Sequence, residues 1–127
     1  MTTDNAAAMT PRLLLRAEGL ALLIAMLVAW RIIGGTWSTF ALWFFVPDLS
    51  LLGYFAGPTL GARLYNSAHT LIGPTLLAAA ALLHPTPHAL EAALIWSAHI
   101  GFDRAAGYGL KHAGSFRETH LGRVGRV

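Results

Sequence analysis

No cysteine occurs among the 127 residues, so neither a disulfide framework nor a thiolate metal site is available to this chain. Charge is scarce as well. Asp, Glu, Lys and Arg together make up 12%, about half of what a soluble domain usually carries. Runs of alternating apolar and polar residues, the mark of membrane-spanning strands, are lacking, which argues against a strand barrel. The opening MTTDNAAAMTPR is polar and Ala-rich, where a secretory signal would be basic and then briefly apolar, so no cleaved signal is expected. What is present is apolar: 55% of the residues are hydrophobic and the mean hydropathy is +0.54. These are the proportions of an integral membrane protein.

Four apolar stretches, 13–33, 36–52, 60–83 and 89–110, each approach the ~20 residues that a helix needs to cross a bilayer core. Gly34-Gly35-Thr36, GYFAGPTLG and HPTPH separate them, and Gly and Pro at each joint suit tight helical hairpins. The expected fold is all-α: an integral membrane four-helix bundle over 12–111, with a disordered N-terminus at 1–11 and a cytoplasmic tail at 112–127. With both termini on one side, Arg12, Arg16, Arg63, Arg104, Lys111, Arg117, Arg123 and Arg126 share that side, and Arg31 alone lies opposite. The positive-inside rule then places both termini in the cytoplasm and makes the chain a multi-pass protein of the cell (inner) membrane. The sequence pI of about 10.0 has the same origin; scattered at helix ends, the basic groups form no face for nucleic acid. Membrane lipids are the expected partners, and a homo-oligomer would cover part of the large exposed helix surface.

This topology gathers polar residues into one layer. Glu18, Asp48, Asn66 with His69, and His99 with Asp103 come from four different stretches, yet all fall roughly 6 to 16 Å inside the cytoplasmic boundary at ~1.5 Å rise per residue. Ionisable groups at such depth cost a few kcal/mol each and normally face a partner or a cavity. His99 and Asp103, four residues apart, share a helix face with Trp96 and Gly107. Tyr65 and Asn66 lie four and three residues before His69, on its face. Pro74 removes the bond to the Thr70 carbonyl and predicts a kink just beyond His69. Pro47 predicts a break that turns Asp48 toward the bundle interior. His84, His88 and Glu91, in or beside the proline-rich joint, read as solvated.

Two imidazoles and two carboxylates suit Zn, Mn or non-haem Fe. The expected ligands are His69, His99 and Asp103, with Asp48 as ligand or general base and Glu18 as a further candidate base. Asn66, Arg104, Tyr108, Lys111 and His120 are the candidate substrate-orienting or supporting groups. The resulting expectation is a metal-assisted enzyme of hydrolytic type, its site facing the cytoplasmic leaflet. Other readings stay open. The polar layer serves in one of them only to tie helices together, and in another His69 and His99 bind haem or a quinone. Asp48 alternatively caps a short helix from Leu49, Glu18 pairs with Arg12 or Arg16, and Arg104 and Lys111 reach for lipid headgroups. Tyr108 has an interfacial role as its default. A His with an Asp four residues later also occurs in lipid phosphatases of the phosphatidic-acid type. Their Lys/Arg-Pro and Ser-Gly-His elements are missing here, which argues against phosphohistidine chemistry.

PDLSLLGY at 47–54, YNSAHT at 65–70, AHIGFDRAAGYGLK at 98–111 and FRETHLG at 116–122 resemble the signature of a family of small, mainly bacterial four-helix membrane proteins classed as a domain of unknown function. The resemblance runs from Arg16, Glu18 and Gly19 to about Gly125. It departs at His112, where the family tends to have an aromatic residue such as Tyr. It implies a fold and a topology, and no reaction.

Overall fold

The computed structural model describes residues 10–111, 118–119 and 122–123. Thr10 opens the first helix, α1 (Pro11–Ile32), its hydroxyl accepting from the Leu13 amide. Pro11 sits in the first turn, where its missing N–H is not needed. The 22 residues of α1 span about 33 Å, enough to cross a bilayer core. A Gly34-Gly35 turn leads to α2 (Trp37–Phe44), after which the backbone tightens into a 3-10 helix over Val46–Ala56 with Pro47 in its first turn. Eleven residues is long for a 3-10 helix, since such runs seldom exceed about four. There follow α3 (Pro58–His69), α4 (Ile72–Leu83) and α5 (Ala89–Ala106), then a two-residue antiparallel pair, β1 (Glu118–Thr119) with β2 (Gly122–Arg123).

Two of the four expected helices are therefore discontinuous. The second changes from α to 3-10 geometry at Phe45 and Val46, beside Pro47, and extends to Ala56 instead of ending at 52. The third does not kink at Pro74. It stops at His69, with Thr70 extended (φ −95°, ψ 146°), and restarts at Ile72. Pro74 thereby falls in the first turn of a new helix, where no donor is required, and a break replaces the bend. Both discontinuities deliver a polar residue: Asp48 from one, His69 from the other.

Pro11–Ile32, Trp37–Ala56 and Pro58–Leu83 are each long and apolar enough to cross a membrane. Large apolar side chains such as Leu42, Phe55, Leu82 and Leu83 lie exposed along them, a surface that fits lipid contact and would be a liability in water. The fourth helix, α5, carries Glu91, Asp103 and Arg104 and forms the centre of the bundle, packed against α1, α2 and α4. Ala93, Ile95, Ala98, His99, Ile100 and Gly101 of α5 are buried, and Ile95 and Ala98 join Trp30 and Phe40 in the apolar core. The Phe40 ring meets Trp30 edge-on at 5.5 Å and lies at 5.5 Å from Phe44, separations at which aromatic pairs attract beyond their buried area.

The α1–α5 contact is set by two glycines. A Cβ built on Gly101 would stand 2.8 Å from the Gly19 carbonyl oxygen and from the Leu23 amide nitrogen, and one on Gly19 would stand 2.7 Å from the Ala105 nitrogen. The two backbones approach closely because neither residue carries a side chain, a packing mode common between membrane helices. Gly107 ends α5 in the left-handed region (φ 96°), its amide bonding the Arg104 carbonyl at 3.1 Å while the Tyr108 amide bonds that of Asp103 at 2.7 Å. This pair of bonds is a Schellman termination.

Candidate metal centre

Asp48, His69, His99 and Asp103 converge: each offers one ligand atom, and the four atoms lie within 4.8 Å of one another. His69 Nε2 is 3.1 Å from His99 Nε2, 3.2 Å from an Asp103 oxygen and 3.4 Å from an Asp48 oxygen. His99 Nε2 is 3.2 Å from that Asp48 oxygen and 3.4 Å from that of Asp103. The imidazoles are 4% and 1% exposed, Asp103 13% and Asp48 37%, so the group is sealed on the α5 side and opens past Asp48. This buried set could hold a metal ion.

Each side chain is aimed by local structure. His69 Nδ1 lies 2.8 Å from the Tyr65 carbonyl oxygen. A carbonyl only accepts, so Nδ1 carries the proton and donates, and in the neutral ring Nε2 presents its lone pair to the group. The Tyr65 ring stacks on His69 at 3.8 Å between centroids, 12° from parallel. His99 and Asp103 sit one turn apart on α5, with Phe44 edge-on against His99 at 5.2 Å. Asp48 is held by the start of the 3-10 segment, where its amide bonds the Phe45 carbonyl and the Ser50 hydroxyl donates to that of Pro47.

The break after His69 leaves helix-end carbonyls that need donors inside an apolar bundle, where an unpaired carbonyl is costly. Two side chains of α5 supply them: the Trp96 indole N–H donates to the Ala68 carbonyl and Arg104 to that of His69 at 3.4 Å. The Trp96 ring also packs against Gly73 at the start of α4. Arg104 thus supports the peptide that carries a candidate ligand. Neither bond is visible from spacing, because each depends on how α5 crosses the third stretch.

Asn66 does not face the group directly. Its side-chain amide clamps the Lys111 backbone, donating to the carbonyl oxygen at 2.7 Å and accepting from the amide at 2.6 Å. Lys111 is buried in consequence, with its ammonium 4.7 Å above the Tyr65 ring, within cation–π range. Burial holds that ammonium below its usual range, and the Asp103 carboxylate works against the shift. Lys111, Tyr65 and His69 form one stack. Asn66→Ala is expected to release the chain after Gly109, read as faster exchange of the Lys111 amide by at least about tenfold, since both bonds to the Lys111 backbone are lost.

Glu18 is exposed and stands outside the group. Its neighbour Gly19 is the residue that meets α5, and one residue along a helix turns the side chain by about 100°, away from that contact. Its expected service as a base has no support from this placement. Nearby Arg16 does reach α5, its Nε donating to the Ala105 carbonyl at 3.0 Å. Tyr108 is exposed beyond the end of α5, and His120 lies outside the described residues. Phe44 and the stacked Tyr65 are the contacts that the sequence reading left without a role in the centre. Tyr65 was detectable through its four-residue step to His69.

No curated protein and no solved structure gives a significant match to the chain. A family model does, over residues 12–124, which takes in all five α-helices from Arg12 onward and all four residues of the centre. The chain belongs to the family described as a domain of unknown function (DUF4260).

Proposed function

We propose that Asp48, His69, His99 and Asp103 hold one divalent metal ion, and that the protein is a membrane-embedded hydrolytic enzyme working at the cytoplasmic leaflet. The observation that carries the proposal is the orientation of His69. With its Nδ1 proton given to Tyr65, its Nε2 lone pair faces a second imidazole nitrogen and two carboxylate oxygens at 3.1 to 3.4 Å. Where His99 carries its proton on Nδ1, the electron pairs pointed at one another across these distances repel, and a cation among them removes the repulsion; where it carries it on Nε2, that N–H donates to His69. A tetrahedral ion with bonds of about 2.0–2.1 Å keeps its ligand atoms about 3.3 Å apart, a spacing matched between the two imidazoles and from each imidazole to each carboxylate. Fixing the ligand nitrogen by a bond from the other ring nitrogen to a carbonyl is the usual arrangement at metal histidines.

The gradient of burial divides the roles. His69, His99 and Asp103 are the three enclosed ligands, and Asp48, on the open side, is the fourth ligand or the base that takes a proton from attacking water. A metal bound there would supply Lewis-acid activation of a carbonyl or phosphoryl group and of water. Arg104 holds the His69 peptide in place, and Tyr65 stacks on the His69 ring. The eight-to-one distribution of basic residues supports cytoplasmic termini, hence a centre within reach of lipid headgroups on that side. The substrate class that this depth favours is an amphiphile entering from the bilayer. Metal analysis of the detergent-purified chain tests the reading: about one metal per folded chain is expected, and a folded protein free of metal overturns it.

A further inference from the structure

A second site stands beside the centre. A cleft of ≈ 900 Å³ runs between the Gly34–Thr36 turn, α2, the start of the 3-10 segment and the first half of α5. It follows α5 from His88 to Trp96, about 12 Å at 1.5 Å per residue. None of the four residues of the centre lines it; Pro47 and Ala68, which precede Asp48 and His69, do. The volume lies in the range of small-molecule sites.

Two features specify the occupant. Three of the four tryptophans in the chain, Trp30, Trp43 and Trp96, line this one cleft. Flat indole walls favour a flat π-system, through stacked or edge-on contact, over a flexible chain. In addition, Trp30 is completely buried and its indole N–H has no acceptor among the described residues, although buried donors are nearly always paired. An occupant with a carbonyl oxygen would pair it. Trp43, more than half exposed, leaves one wall open toward lipid, so the occupant arrives from the bilayer.

We infer that this cleft binds an uncharged, flat lipophile bearing a carbonyl acceptor, the chemistry of a quinone head. The inference is independent of the metal centre.

The test uses the full chain in detergent, isotope-labelled at the tryptophan indoles and titrated with menadione, a quinone without a tail. The Trp30 N–H signal is expected to shift to saturation while that of Trp37, outside the cleft, stays in place. Ala92→Phe, which fills the rim of the cleft, is expected to abolish the shift with the remaining indole signals unchanged. Trp30→Phe is expected to weaken binding by about tenfold, the loss of one hydrogen bond. Four signals moving together without saturation would mean partition into the micelle and would overturn the inference. So would an immobile Trp30 signal, or an affinity unchanged in Trp30→Phe.

Discussion

His69→Ala is expected to purify without metal, its affinity down by more than about 100-fold, since loss of a residue that merely orients a ligand already costs 10–100-fold. His99→Ala should behave alike, because each Nε2 atom lies within 3.4 Å of both carboxylates. A competing account gives the four residues only a structural task, with a protonated imidazole pairing two carboxylates. Under that account His69→Ala leaves His99 as the one imidazole between Asp48 and Asp103 and opens a cavity beside it, and the protein melts early whatever the chelator concentration. The two accounts separate on the wild type. If a metal holds the group, a strong chelator lowers the melting temperature of the wild type and leaves His69→Ala unmoved. If imidazolium pairing holds it, the chelator changes neither.

The sequence carried the ingredients of the centre with some clarity. Pro47 before Asp48 announced a break, and the break is there. His99 and Asp103 four residues apart announced one helix face, and that face is buried. The third stretch was harder. Pro74 predicted a disturbance near His69, but spacing alone cannot say whether a helix bends or stops. The answer depends on donors brought from elsewhere, here Trp96 and Arg104 of α5 capping the Ala68 and His69 carbonyls. The same limitation explains Glu18. Depth along a helix follows from residue number, whereas the direction a side chain takes around the axis is fixed by the partner helix, and Gly19 turned toward α5. Asn66 illustrates the point in another way. A polar residue one turn from a ligand invites a role at the centre, but its amide is spent on the Lys111 backbone, a contact 45 residues away in sequence. Thus the convergence of Asp48, His69, His99 and Asp103 was readable, and the directions taken by Glu18 and Asn66 were not.

The Gly19–Gly101 crossing ties the integrity of the bundle to that of the centre. Gly101 lies between His99 and Asp103 on α5, so whatever displaces the helix from α1 also displaces two of the four converging groups. Gly101→Ala places a methyl against the Gly19 carbonyl and the Leu23 amide, both backbone atoms that cannot swing aside, and is expected to cost about 1–3 kcal/mol. Gly101→Leu adds three carbons more than Gly101→Ala at the same point and is expected to cost more than about 3 kcal/mol, with α1 and α5 forced apart. Thermal unfolding in one detergent, with metal content measured on the same samples, reads both effects. Ala106→Leu, at an exposed position near the end of α5, serves as the control and should stay within about 0.5 kcal/mol of the wild type. The expected order is control, then Gly101→Ala, then Gly101→Leu, with metal lost in the last. A Gly101→Leu protein as stable as the control would show that α1 and α5 do not meet at these glycines.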